Sequence, residues 1–268
     1  MDGVQSADSI GFPSELNVLL YGDFATGKTT FSLTFPRPLF VFDIDKRYQT
    51  FAGMDGVDYK VYEDVGKRPS AYREFMKDFM DLQQNASEYK TVVVDSSTTL
   101  LDIMTNDILG ITGTGRGATE GLDLSQWGTV TERFRKIFSL MRGFPCHSIM
   151  TSHTQIFQDD LTGELKYVTM MVGRKVAQKA PLFFDEVYRC FTEKDRDTGE
   201  VQYLAQTQSD RHYPARTSLN LRDEEGNTIP ILEPVEPQNY PTIEEKISSA
   251  RENPEEFIKK VKSRREYL

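Results

Sequence analysis

The chain has 268 residues, 38% hydrophobic and 27% charged, with a formal net charge of -9. This length allows one large domain or two small ones. The acidic balance excludes a surface coated with cations for permanent duplex binding but leaves room for a local basic groove. No apolar run approaches the roughly 18 to 20 residues of a membrane span, and the polar N-terminus has no apolar targeting segment, so a cytoplasmic protein without membrane contact is expected.

Residues 1–14 read as a polar tail. The first β-type run, LNVLLYG (16–22), leads into a loop and then the helical segment KTTFSLTF. Here Gly22, Gly27, Lys28 and Thr29 satisfy G-x-x-x-x-G-K-[ST], the Walker A phosphate loop, in the strand-loop-helix setting that the motif requires. Glycines let successive backbone N–H groups face phosphate oxygens, the lysine reaches the β and γ phosphates, and the threonine hydroxyl ligates magnesium. The expected nucleotide contacts are Gly22, Asp23, Phe24, Ala25, Thr26, Gly27, Lys28, Thr29 and Thr30, with a nucleotide and Mg2+ as ligands.

Further β-type runs follow at PLFVFDID (38–45), KTVVVDSS (90–97) and CHSIMTSH (146–153). Between them, Tyr72, Phe75, Phe79 and Leu82 fall on one helix face, and WGTVTERFRKIFSLMRGF reads as another helix. Strands that are almost continuously apolar, alternating with helices, predict a mostly parallel α/β sheet covered on both faces, with ligands at the strands' C-terminal ends. Asp95 closes the third of these runs on a carboxylate and is expected to complete a magnesium site with Thr29. Cys146 and Cys190, the only cysteines, are widely spaced and are expected as buried thiols. Beyond residue 154, two turn-punctuated segments, IFQDDLTGELKYV and EVYRCFTEKDRDTGEVQYLAQTQ, predict β-hairpins. A proline-punctuated stretch then leads to two helices, the first opened by a Thr242–Glu245 capping box and the second by Asn253–Pro254. The division is thus a tail (1–14), a nucleotide-binding core (15–222), and a proline-punctuated linker with C-terminal helices (223–268).

The order of these elements resembles the RecA-like P-loop ATPases, in particular phage-encoded AAA-type ATP-binding proteins related to the Sak-group single-strand annealing ATPases. The resemblance implies a strand beside the phosphate-loop strand whose acidic pair orients the attacking water, which here gives Asp45, with Asp43 in reserve. It implies a γ-phosphate sensor among Ser152, His153 and Gln155, with His153 the first choice. It also implies a basic element, SDRHYPARTS (209–218), whose Arg216 and Arg211 reach a neighbouring subunit's nucleotide. The family's DNA-binding loops correspond to 109–126, with Arg116, and 156–180, with Lys166, Tyr167, Arg174, Lys175 and Lys179. Cations that track phosphates, beside an aromatic face, suit sequence-independent strand binding.

The resulting expectation is a Mg-dependent ATPase of phage DNA recombination or replication, in the host cytoplasm. It would bind single-stranded DNA as a head-to-tail homo-oligomer and cooperate with a single-stranded-DNA-binding protein. The alternative is an ATP-gated adaptor or loader that docks a replication or packaging protein through its C-terminal helices. With no N-K-x-D element, a GTPase is disfavoured, and a single arginine in GTGRGATEG makes a phosphotransferase the third choice.

Overall fold

A computed structural model describes residues 13–85, 88–112, 121–158, 163–171, 177 and 179–265. Its frame is a nine-stranded sheet. The phosphate-loop strand β1 (Asn17–Gly22) is followed by β2 (Leu39–Asp43), β3 (Val57–Val61), β4 (Thr91–Asp95), β5 (His147–Gln158) and β6 (Leu165–Thr169). The sheet is completed by β7 (Glu186–Lys194), β8 (Val201–Gln206) and β11 (Val235–Pro237), while β9 (Asn220–Arg222) and β10 (Thr228–Pro230) pair separately. The order across the sheet is β11-β8-β7-β1-β5-β4-β2-β3, with β6 paired to the outer part of β5. Strands β3, β2, β4, β5, β1 and β7 run parallel, so their C-terminal ends share one edge. Both predicted hairpins form, as β5–β6 and β7–β8.

This order corrects one expectation: β2 is not beside β1, because β5 and β4 lie between them. The reason is burial. Every residue of β4, Thr-Val-Val-Val-Asp, is buried, and a strand apolar on both faces belongs in the centre of a sheet. The edge strand β3 is largely exposed, and without a continuous apolar run it gave no signal in the sequence.

The helices cover both faces: α1 (Lys28–Ser32), α2 (Ala71–Asn85), α3 (Ser97–Leu109), α4 (Leu124–Arg142), α5 (Tyr240–Glu252) and α6 (Pro254–Arg265). On one face, Phe75 and Phe79 of α2 pack on Phe42 of β2, each with ring centroids 5.3 Å apart. Truncating either phenylalanine to alanine would cost about 3–5 kcal/mol. On the other face Phe35 stacks on Tyr240 of α5 at 4.2 Å, and Ile243 and Ile247 are buried behind it. The C-terminal segment therefore shares the core, with β11 on the sheet and α5 against it.

Caps account for the differences in helix boundaries. Helix α5 begins at Tyr240 because the Asn239 side chain accepts from Thr242 N at 3.1 Å, which replaces the predicted Thr242–Glu245 box. Helix α4 starts three residues before Trp127, at a capping box formed by Asp123 and Gln126. Helix α3, capped by Ser96, was not predicted; its Ser-Thr-Thr start reads locally as loop. Among the described residues, no helix is long and apolar enough to cross a membrane.

Candidate nucleotide site

The turn from β1 into α1 is a tight backbone loop whose shape depends on two glycines. A Cβ on Gly22 would lie 2.2 Å from the Cys190 carbonyl oxygen of β7. Gly27 has φ +83, and a Cβ there would lie 2.5 Å from Gln238 Oε1 and 2.7 Å from the Tyr203 ring. The loop borders a cavity of about 510 Å³, lined by Ala25 to Phe31 and by residues on or just after five other strands, β2, β4, β5, β8 and β11.

Lys28 is only 8% exposed, and its Nζ donates to the carbonyls of Gly22 at 3.0 Å and Asp23 at 2.7 Å. Burial lowers its pKa, so the ammonium is held where a phosphate would compensate its desolvation. Thr29 Oγ1 donates to Asp95 Oδ2 at 2.9 Å, and the buried Thr151 hydroxyl donates to Asp95 Oδ1. Burial and then the nearby Asp45 charge raise the Asp95 pKa. A nearly dry carboxylate beside a threonine hydroxyl offers hard oxygens to a cation, and this donor set fits magnesium shared with phosphates and water. Among the described residues, no group of three or more His, Cys, Asp or Glu could hold a metal.

The two carboxylates after β2 have separate positions. Asp43 is fully buried, and its Oδ1 accepts from Arg47 N at 2.8 Å, so it anchors the turn. Asp45 lines the cavity, where its Oδ1 accepts from Ser96 Oγ at 2.8 Å and from the Thr99 hydroxyl. His153 also lines it; burial, then the Lys28 charge, lowers its pKa, which favours the neutral ring. Ser152 is buried with its hydroxyl on the His153 carbonyl, and Gln155 stands further along β5.

The other predicted residues lie elsewhere. Arg216 bridges Val187 near the start of β7, and its Nε donates to Asp185 O at 3.4 Å, toward the edge opposite the phosphate loop. Arg211 is exposed and paired with Glu164 at 2.6 Å. Ser218 is tied to buried Glu186, through its N at 2.8 Å and its hydroxyl at 2.6 Å. Lys166 and Tyr167 lie on β6, and the Tyr167 ring stacks on Tyr213 at 4.6 Å with Arg189 against the latter at 3.3 Å. Lys179 is exposed ahead of a 3-10 turn, whereas Arg116, Arg174 and Lys175 lie outside the described residues.

Sequence reasoning missed Arg47, Thr50, Thr151, Tyr203 and Gln238, all of which line the cavity. Gln238 Nε2 donates to Thr26 O and Leu204 O, each at 2.8 Å, and so fastens the C-terminal segment to the phosphate loop. The one available signal was Arg47, a cation two residues after Asp45.

No curated protein matches the chain. Similar solved structures include a KaiC-like protein from the hyperthermophilic archaeon Pyrococcus horikoshii OT3, at 15% identity and TM-score 0.39, covering 82% of this chain and 90% of that one. The flagellar accessory protein FlaH from Methanocaldococcus jannaschii matches at 9% identity and TM-score 0.36, covering 72% and 78%. The RadB recombinase matches at 16% identity and TM-score 0.41, covering 72% and 87%. The AAA domain family matches residues 14–219, which include the phosphate loop, both aspartates of the cavity and every parallel strand. The chain belongs to the AAA domain family.

Proposed function

We propose that the chain is a magnesium-dependent, RecA-like ATPase that acts on single-stranded DNA, promoting annealing or strand pairing as a head-to-tail oligomer in phage recombination or replication. The observation that carries the nucleotide part is the pairing of Thr29 Oγ1 with Asp95 Oδ2 at 2.9 Å on a cavity that also holds Lys28, Asp45 and His153. In this reading Lys28 leaves the carbonyls of Gly22 and Asp23 for the β and γ oxygens of the nucleotide. Magnesium held through Thr29 and Asp95 would neutralise charge on those oxygens. Asp45 takes a proton from water as the water oxygen bonds to the γ-phosphorus and the bond from that phosphorus to the leaving ADP oxygen breaks. His153, on the same wall, reports the γ-phosphate to the β5–β6 hairpin.

Arg216 is exposed, with its Nε on Asp185 O, and in this reading it serves a neighbour's nucleotide. Lys166, Tyr167 and Lys179, with Arg116, Arg174 and Lys175, supply the strand-binding surface. A second reading, an ATP-gated adaptor, is favoured by the Gln238 bond to Thr26, which links the C-terminal helices to the nucleotide loop. The discriminating experiment is the ATP turnover of wild type, Lys28→Ala and Arg216→Ala with and without single-stranded DNA. Stimulation by DNA and partial rescue on mixing the two variants support the leading reading; turnover indifferent to DNA in a monomeric protein contradicts it.

A further inference from the structure

We propose that Arg47 is a phosphate-reading cation supplied in cis, which binds the terminal phosphate of a nucleoside triphosphate and in doing so releases Asp45. This rests on the nucleotide reading of the cavity and adds to it the discrimination of triphosphate from diphosphate.

The turn after β2 is built to present this side chain. Asp43, buried at the strand end, accepts from Arg47 N at 2.8 Å, and Arg47 O accepts from Thr50 N at 2.8 Å. Lys46, just before it, has φ 58, so the chain reverses there at a backbone angle that side-chain-bearing residues seldom adopt. Asp45 and Arg47 thereby enter the same cavity. The guanidinium lies 5.7 Å from the ring of Phe24 on the phosphate loop, which steers it toward the nucleotide.

Its present partner is weak. Arg47 Nε stands 3.5 Å from Asp45 Oδ2, and the Arg47 side chain is 40% exposed. A γ-phosphate, with more negative charge and three acceptor oxygens, is a stronger partner for a planar guanidinium than one carboxylate oxygen at that separation. Asp45 does not follow Arg47 when it leaves, because its other oxygen is held by Ser96 and Thr99. The freed Oδ2 then stays on the cavity wall, available to accept a proton from the attacking water. Arg47 reaches the rest of the site electrostatically as well, since its charge contributes to lowering the pKa of both Lys28 and His153. Among the described residues, no other arginine lines the cavity: Arg211 is paired with Glu164, and Arg216 is turned toward Asp185.

The test is calorimetric titration of the full chain, wild type, Arg47→Ala and Arg47→Lys, with Mg2+–ADP and with the Mg2+ complex of a non-hydrolysable imido triphosphate. Arg47→Ala should weaken triphosphate binding by about 10–100-fold while leaving ADP within about twofold, and Arg47→Lys should recover part of the loss. Unchanged melting temperatures without nucleotide show that the variants are folded, and if Arg47→Ala melts early the lysine variant carries the comparison. Equal losses for both nucleotides, or none for either, overturn the proposal and leave the nucleotide site standing. Wild type that binds neither nucleotide overturns the reading of the cavity itself, and this proposal with it.

Discussion

The phosphate-loop edge of the sheet and the basic segment around 209–218 carry similar charged groups under opposite conditions. At the edge Lys28 is 8% exposed and Asp95 2%. Among the described residues, neither has an oppositely charged side chain as hydrogen-bond partner: Lys28 donates to backbone carbonyls and Asp95 accepts from two threonine hydroxyls. In the basic segment, the Arg211 side chain is 72% exposed and already has a carboxylate partner in Glu164. Burying charge without an ionic partner costs stability. A site that accepts this cost gains a preorganised field for a charged ligand. Exposed pairs gain little stability and remain free to change partners.

Four measurements break or sharpen this contrast. The largest effect is expected at Lys28: Lys28→Ala should lower nucleotide turnover by roughly 100–1000-fold. The same variant should melt no lower than wild type without nucleotide, because the buried ammonium is disfavoured in the fold. A lower melting temperature would mean that Lys28 holds the loop rather than waits for phosphate.

Next comes His147, buried at the N-terminal end of β5, away from the nucleotide edge. Its Nδ1 accepts from Leu16 N at 3.1 Å, and burial pushes its pKa from 6.5 down to about 4. The unfolded chain therefore binds this proton more readily. The stability from neutral His147 is complete above about pH 6.5 and is lost as pH falls toward 4, a change of about 3 kcal/mol. Denaturant unfolding across that window should show the loss in wild type, and His147→Gln should flatten the difference.

Gly27→Ala is expected to destabilise by about 2 kcal/mol, from left-handed backbone strain and from collision with Gln238. Adding Gln238→Ala should return part of that in thermal unfolding. The smallest effect belongs to the basic segment: Arg211→Ala should change stability by less than about 0.5 kcal/mol, because its ion pair is exposed.

What could be read in the sequence follows from how local each feature is. The phosphate loop, the strands β1, β2, β4 and β5 and both hairpins depend on contiguous residues, and they form over the expected stretches of chain. Asp95 was legible because an apolar strand closing on a carboxylate is a local pattern. The position of β2 was not, since strand order depends on which strands are buried on both faces. Gln238 gave no signal because its partner, Thr26, is 212 residues away. Thr151 reads as an ordinary strand residue until β5 and β4 bring its hydroxyl to Asp95. The separate positions of Asp43 and Asp45 became clear only when the first was seen to anchor the turn and the second to face the cavity.

In the proposed function, Thr29 and Asp95 form a cation-dependent triphosphate site. Its most direct test is equilibrium binding of a non-hydrolysable triphosphate to wild type, Thr29→Val and Asp95→Asn, with and without Mg2+. Mg2+ should strengthen binding to wild type by about tenfold or more, and neither variant should show this gain. Binding that is equally tight without Mg2+, or a magnesium gain that survives both substitutions, would contradict it.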